Sequence, residues 1–376
     1  MRNVLLLITA EDCEMARQQV REGIWPRADY LELADRLDAD VVDLAAVRAD
    51  PTARRLDRIV RRGVGHAWLA SRMLPHYDTV FSDGEHIGLP LGILLSGKRH
   101  RCRHVMIGHS LSGWKKRPLV RWSREGVDAL VVHSTSQLEF AVRTLGLDAG
   151  QVYLSAYHVD VDFWRPELGR EELMMVSFGL EKRDYPTLVE AVQELPIGVC
   201  IGAMSHWSRH GNRLKGRRIP ANITVGSYDY LQMRDLYSRA RLVVVPLRDA
   251  DYQAGITTIL EAMAMGKALI VTRTRGQRDT VVGPLWSEGE NVWPAGGPSP
   301  EECTGIYVPP GDAQAMRSAI VYLLERPELA AVLGGNARRF VEEHMSLDEF
   351  VTRLAAVIDP TYARQEVTET EVSRSA

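Results

Sequence analysis

Short, mostly apolar runs recur along this chain, each followed by a longer stretch with helical spacing of its apolar residues. In the first half, residues 4–8, 40–44, 79–82, 104–107, 129–132 and 152–154 read as strands. Residues 27–37, 52–74, 87–95 and 136–145 read as helices between them. The rhythm starts again with strands at 174–178, 198–202, 223–225, 242–246, 268–271 and 305–308. Helices are expected at 185–194, 230–239, 258–265, 313–324, 328–343 and 347–357. Strands without hydrophobic alternation are buried on both faces, so each half predicts a parallel sheet covered by helices on both sides. The segment 156–170 has no period and contains Pro166 and Gly169, and it reads as a linker. A Pro/Gly-rich stretch, 283–304, reads as a surface loop, and the polar tail 360–376 as frayed.

A length of 376 residues is too great for one typical domain, in keeping with two repeats of the pattern. Four cysteines stand far apart (Cys13, Cys102, Cys200, Cys303), which fits neither a zinc site nor a disulfide framework and suits a reducing cytoplasm. The apolar run 4–8 is followed by Glu11, Asp12 and Glu14 and is too short for a signal peptide or membrane span, so membrane association is expected to be peripheral at most. A net charge of −3 gives no overall attraction to nucleic acid. Charge is uneven, however: residues 54–124 hold 15 Lys/Arg against four Asp/Glu. Such a stretch suits anionic lipid, a phosphorylated acceptor or nucleic acid, or else merely solvates helix faces. Its segment Trp114-Lys115-Lys116-Arg117-Pro118-Leu119-Val120-Arg121-Trp122 is the candidate lipid or anionic-acceptor contact; no aromatic–basic interleaving outside it suggests a nucleic-acid platform.

The strongest chemical signal is Gly255-Ile256-Thr257-Thr258-Ile259-Leu260-Glu261, which follows the buried run Leu242-Val243-Val244-Val245-Pro246. A strand feeding a glycine loop that opens a helix presents unpaired N–H groups and the positive end of the helix dipole, a ready phosphate site. Glu261, one turn in, is placed to accept from a sugar hydroxyl. The same residues also spell a capping box, Thr258-x-x-Glu261, in which both side chains only satisfy the helix start.

Other motifs occur in a fixed order around this one. Ser177-Phe178-Gly179-Leu180-Glu181-Lys182-Arg183-Asp184-Tyr185-Pro186-Thr187-Leu188 precedes it, and Gly305-Ile306-Tyr307-Val308-Pro309-Pro310-Gly311-Asp312 follows. With the segment Tyr157-His158-Val159-Asp160-Val161-Asp162-Phe163-Trp164-Arg165-Pro166, the set resembles the retaining GT-B glycosyltransferases, in particular glycosyltransferase family four (group 1), over roughly residues 75–358. The resemblance implies an α/β protein of two doubly wound, Rossmann-like domains facing a central cleft. It implies an acceptor-binding domain over 1–158 and a nucleotide-sugar donor domain over 159–345. A C-terminal helix, 346–359, would cross back to the first domain, ahead of the tail 360–376. The implied activity is metal-independent sugar transfer from a UDP, GDP, ADP or TDP sugar to an acceptor hydroxyl, with retention, in glycan or glycoconjugate biosynthesis.

In this resemblance Glu261 is the ribose-binding glutamate, and Gly255, Ile256, Thr257 and Thr258 hold the diphosphate. Lys182 and Arg183 neutralise the leaving phosphate, beside Gly179. Ser227 and Tyr228 contact the base. His109, at the end of Val105-Met106-Ile107-Gly108, lies beside the reacting sugar. Apart from the resemblance, Ser82-Asp83-Gly84-Glu85-His86 is a second polar strand end, and its Glu85 and His86 are read as acceptor contacts. Two positions depart from the family pattern: Gln253 stands where many relatives carry the first glutamate of a Glu-x7-Glu pair, and Leu180 replaces a usual arginine. The departures leave open a non-catalytic sugar-nucleotide binder or scaffold, or a GT-B epimerase. Two Asp-x-Asp patterns occur, Asp249/Asp251 in the acceptor-facing loop before Gln253 and Asp160/Asp162 in the linker; such patterns are frequent by chance, and no metal is expected.

Overall fold

The computed structural model describes residues 3–60, 63–97, 102–113, 116–166, 171–202, 218–294 and 296–362. Parts of the basic segment (98–101, Trp114 and Lys115), of the linker (167–170) and most of the tail (363–376) lie outside the described residues. The chain forms two compact units: residues 1–23, 27–156 and 347–376 make the first, and 24–26 with 157–346 the second.

The first unit runs β1 (Val4–Leu7), α1 (Cys13–Arg21), α2 (Asp29–Leu37), β2 (Asp40–Val42), α3 (Leu44–Ala49), α4 (Pro51–Ile59) and α5 (Val64–Met73). It continues through β3 (Thr79–Ser82), α6 (Glu85–Leu95), β4 (Arg103–Gly108), α7 (Arg117–Ser123), β5 (Ala129–Val132), α8 (Thr135–Glu139) and β6 (Val152–Leu154). The six strands are parallel, in the order β2-β1-β3-β4-β5-β6. Leu5, Leu7, Val80, Met106 and Leu130 point to one face, beneath α4 to α7. Leu6, Phe81, Val105, Ile107 and Val131 point to the other, with α2. This two-sided burial is the reason the strands carry no polar alternation.

The second unit runs β7 (Met174–Phe178), α9 (Tyr185–Val192), β8 (Gly198–Gly202), β9 (Ile223–Gly226), α10 (Tyr230–Arg239), β10 (Leu242–Val245), α11 (Ile256–Ala264), β11 (Ala268–Thr272), β12 (Gly305–Val308), α12 (Ala313–Leu324) and α13 (Pro327–His344). Its strands are also parallel, ordered β12-β11-β10-β7-β8-β9. The final helix, α14 (Leu347–Ile358), belongs to the first unit, where Phe350, Val351 and Leu354 join the core beside α2.

Both sheets reverse direction of growth once. In the first, the reversal falls between β1 and β3; in the second, between β7 and β10. At such a point the loops leaving the strand C-termini diverge and open a crevice, where ligands of doubly wound sheets bind.

The helices differ from the sequence reading where local hydrogen bonds overrule periodicity. The expected helix over 52–74 is broken: Asp57 Oδ1 accepts from Gly63 N at 3.1 Å and Gly65 N at 2.6 Å, which turns the chain between α4 and α5. The expected strand 40–44 stops at Val42, because Asp43 caps α3 by accepting from Ala46 N at 2.8 Å. The helix expected over 136–145 ends as a wider π turn over Phe140–Thr144. Two unexpected helices, α1 and α7, bury little: Ala16 alone in α1, and Val120 with Ser123 in α7.

Candidate functional site

In the second unit the site is built around one buried arginine. After β7 the chain turns through Gly179, at φ 98°, and Lys182, at φ 55°. The turn drives Arg183 inward until it is 5% exposed. Its Nε donates to Phe178 O at 2.8 Å, one terminal nitrogen to Glu181 O at 3.0 Å, and the other to Thr258 Oγ1 at 2.9 Å. Burial lowers the pKa of its guanidinium, which neighbouring Tyr185, Tyr237 and Glu261 partly offset. A guanidinium nevertheless stays charged in proteins. Arg183 thus ties the loop after β7 to the first turn of α11.

The two glycines explain why no side chain intervenes. A Cβ on Gly179 would stand 2.5 Å from Arg183 Nη2, and one on Gly255 would stand 3.1 Å from Arg183 Nη1. Gly255 also sits at φ 80°, a left-handed conformation costly for other residues. Gly255→Ala is therefore expected to destabilise the protein by about 1–3 kcal/mol through strain and crowding, read as a lowered melting temperature.

Gly255 is the N-cap of α11, and no side chain caps this helix. The helix starts at Ile256, two residues before Thr258, so the Thr258–Glu261 capping box does not form. Instead Thr258 is buried: its hydroxyl receives Arg183 Nη2 and points to Phe178 O at 3.4 Å. Ile256 N–H makes a long bond of 3.4 Å to Gln253 O, and Ile259 N–H bonds Gly255 O at 3.1 Å. Between them, the backbone N–H groups of Thr257 and Thr258 have no partner among the described residues. Thr257 is exposed. Two open donors at the positive end of a helix are what an anion's oxygens need. A backbone site and an exposed Thr257 hydroxyl remain, while the Thr258 hydroxyl faces the interior.

One turn further, Glu261 Oε2 accepts the Tyr237 hydroxyl at 3.0 Å, and its other oxygen is unengaged among the described residues. Tyr237 is wholly buried, its ring held edge-on between Phe178 (4.9 Å) and Trp164 (5.7 Å). The carboxylate orientation is therefore set by packing. Burial pushes the Glu261 carboxyl up to about 8, against the opposing pull of the Tyr237 bond and of Arg183. Tyr237 and Trp164 were missed as site residues in the sequence; only the aromatic-rich segment around Trp164 hinted at them.

Gln253 stands in the loop after β10. Its Nε2 reaches Thr280 Oγ1 at 3.4 Å, and Thr280 in turn donates to Gln277 Oε1 at 2.9 Å. Gln253 Oε1 is buried without a hydrogen-bond partner among the described residues. Across the same sheet end, Tyr228 packs edge-on against Phe178 at 6.1 Å and is hydrogen-bonded to Cys200 at 3.1 Å. Ser227 beside it is exposed. Lys182 is partly exposed, and its carbonyl accepts from Arg248 N at 2.8 Å. Phe178 packs against both Tyr228 and Tyr237, so one ring links the Ser227–Tyr228 loop to the tyrosine that holds Glu261.

In the first unit, polar residues gather where the sheet reverses. Asp83, after β3, accepts from Thr9 N at 2.8 Å and Thr9 Oγ1 at 2.9 Å, joining the two diverging loops. Its other oxygen is buried without a hydrogen-bond partner among the described residues, and burial pushes the carboxyl up to about 6. His109 Nε2 lies 2.8 Å from Asp83 O, which requires a proton on Nε2. The His109 ring is exposed and lies 5.4 Å from that of His133. The sequence reading grouped Asp83 with its neighbours and gave it no role of its own.

Glu85 is 7% exposed and engaged on both oxygens, by His109 N at 2.9 Å and Lys116 Nζ at 2.6 Å. Lys116 also donates to Ser110 O at 2.6 Å. Burial pushes the Glu85 carboxyl up, but Lys116, His109 and the hydrogen bonds outweigh it and hold it at about 2. These contacts shape the loop that carries His109. His86 is partly exposed next to it. Because the folded pKa is depressed, the pair stabilises the protein fully above about pH 4.5 and progressively less as pH falls toward 2. Lys116→Met is expected to cost about 3 kcal/mol at neutral pH by stranding a buried carboxylate. Chemical denaturation across pH should show that cost shrinking in acid.

Residues 199–326 match a family model described as glycosyl transferases group 1. The match includes Gly255, α11 and Glu261 and excludes Gly179 to Arg183. No curated protein matches the chain in sequence. Among solved structures, sucrose-phosphate synthase from Thermosynechococcus elongatus is similar with a TM-score of 0.71 at 19% identity, over 96% of this chain and 100% of that one. HepE from Anabaena, in complex with UDP and glucose, gives a TM-score of 0.64 at 13% identity over 94% and 98% of the two chains. A glycosyltransferase from Rickettsia africae gives 0.63 at 14% identity over 95% and 98%. The fold is that of the GT-B glycosyltransferases, two parallel-sheet Rossmann-like domains.

Proposed function

We propose that this chain is a glycosyltransferase that takes a sugar from a nucleoside-diphosphate sugar and passes it to an acceptor hydroxyl, with retention and without a metal. The observation that carries the reading is the start of α11: two unpartnered N–H groups at Thr257 and Thr258, with the Glu261 carboxyl one turn beyond. The group 1 match over 199–326 and the UDP and UDP-glucose complexes of HepE support the same choice of donor.

Under this reading the diphosphate sits on the open turn of α11, and Glu261 takes the ribose hydroxyls. Ser227 and Tyr228 lie at the base, and Gln253 at the sugar. Charge builds on the leaving diphosphate as the glycosidic bond breaks. The α11 dipole, the two N–H groups and the Lys182 ammonium stabilise it without reorganising. Arg183 acts chiefly by fixing both loops. His109 and Asp83 in the first unit are assigned to the acceptor side, with Glu85 holding the His109 loop and His86 at its margin. Metal independence is supported by the occupation of Asp249, whose carboxylate receives Arg275 N at 3.1 Å and Nε at 2.8 Å.

A thermal-shift screen of UDP, GDP, ADP and dTDP sugars tests the donor. One nucleotide sugar is expected to raise the melting temperature, and on incubation with acceptor mixtures its sugar is expected to pass to an acceptor with release of the nucleoside diphosphate. Binding without release would favour a non-catalytic sugar-nucleotide binder, the reading that the uncharged Gln253 supports. Proton NMR of the product anomer tests retention.

A further inference from the structure

The outer side of one helical layer of the first unit carries a surface that the proposed sugar chemistry does not use. Helices α4, α5, α6 and α7 pack side by side in that order. They bury Ala53, Ala67, Leu91 and Val120 against the same sheet face. Their outward faces hold Ile59 (67% exposed), Val60 (64%), Trp122 (62%), Leu94 and Trp68. The α6 and α7 ends are stitched together where Ser96 Oγ donates to Trp122 O at 2.8 Å, which brings Leu94 and Trp122 into one neighbourhood.

The same layer also carries a group of exposed arginines without ionic partners. Arg54, Arg55, Arg58, Arg121 and Arg124 form no ion pair among the described residues. Elsewhere several surface arginines are paired (Arg17 with Asp35, Arg239 with Glu172, Arg241 with Glu171, Arg275 with Asp249, Arg353 with Glu349), while Arg143, Arg165 and Arg273 are exposed singly without an ion pair among the described residues. Of the acids of the layer, Glu125 beside Arg124 is exposed, and three others are committed. Asp57 holds the turn into α5, Asp50 caps α4, and Glu85 holds Lys116. An array of unpaired cations interspersed with exposed aliphatic and indole side chains is complementary to a plane with anionic charge at its surface and hydrocarbon just beneath.

We propose that the outer face of α4 to α7 docks on an anionic lipid bilayer, arginines at the headgroups and Trp122, Trp68, Leu94, Ile59 and Val60 in the interfacial zone. No helix among the described residues is long and apolar enough to cross a membrane, so the contact is peripheral. A nucleic acid would use the same arginines. It would gain nothing from burying Ile59, Val60 and Leu94, which cannot stack on bases as aromatic rings do. The inference is independent of the donor chemistry and stands or falls separately.

The test is co-sedimentation of the full chain with vesicles of phosphatidylcholine alone and with phosphatidylglycerol added. Binding is expected only with the anionic lipid, and is expected to weaken as salt rises. Arg121→Gln with Arg124→Gln should weaken it by about fivefold per arginine. Trp122→Ala should weaken it while leaving the melting temperature unchanged. Arg17→Gln, at a paired arginine outside the layer, should bind as the wild type does. The proposal is overturned by equal binding to both vesicles, by no binding to either, or by a Trp122→Ala variant that binds unchanged. Tighter binding to duplex DNA than to anionic vesicles would also overturn it.

Discussion

Glu261→Gln is expected to raise stability in mild alkali and to weaken nucleotide binding, two effects of opposite benefit from one atom change. Burial holds the Glu261 carboxyl at about 8, well above its ordinary 4.5, so the folded state binds this proton more tightly than the unfolded state does. By linkage, its contribution to stability declines as pH rises from about 4.5 and is at its least favourable above about 8. Glutamine cannot ionise, keeps the shape and can still accept from Tyr237. The variant should therefore melt with the wild type in mild acid and a few degrees above it in mild alkali. A ribose diol, however, bonds more strongly to a carboxylate than to an amide. Nucleotide affinity should fall at least about thirtyfold, or about 2 kcal/mol. In the wild type, affinity should rise with pH up to about 8, because binding draws on the ionised form. Melting curves and calorimetric titrations at several pH values check both halves.

Arg183 should prove the least replaceable residue of the second unit. It supplies three hydrogen bonds from a buried position and joins the loop after β7 to α11. Arg183→Met removes them and leaves the Phe178 and Glu181 carbonyls with fewer partners. The expected loss is about 3–5 kcal/mol, with nucleotide binding lost as the two loops separate. Arg183→Lys should rescue little, since one ammonium cannot reach three acceptors spread along a planar fork. Lys182→Ala, on the outer side of the turn, should leave the melting temperature nearly unchanged and weaken binding of the diphosphate alone. If instead Arg183→Lys keeps stability and affinity while Lys182→Ala unfolds the protein, the assignments of these neighbours are reversed.

The inner strands were readable because they are runs of mostly apolar residues buried on both sides; Met174–Phe178 and Gly198–Gly202 coincide with the sequence reading at both ends. The helices were readable where the apolar stripe is broad, as in Ala313–Leu324, or where a capping box marks the start, as Asp229 and Gln232 do for Tyr230–Arg239. They were not where a single carboxylate breaks the pattern, as Asp57 does between α4 and α5. In the site, Gly255 and Glu261 were legible because a glycine cap and a polar residue on an apolar helix are local anomalies. The partners of Glu261 and of Arg183 were not, since Tyr237 and Thr258 meet them only through strand order. Nor does any local pattern announce that the Thr258 hydroxyl turns inward and the Thr257 hydroxyl outward. The Thr9–Asp83 bond, which closes the corresponding point of the first sheet, spans 74 residues and has no local signature.

The most direct test of the central claim, that the start of α11 is a nucleoside-diphosphate sugar site, is calorimetric titration of the donor panel into the wild type and Glu261→Ala. One donor should bind the wild type with micromolar affinity and fail to bind a Glu261→Ala protein that melts cooperatively. Equal affinity in the two proteins, or no binding of any nucleotide to the wild type, would contradict the account.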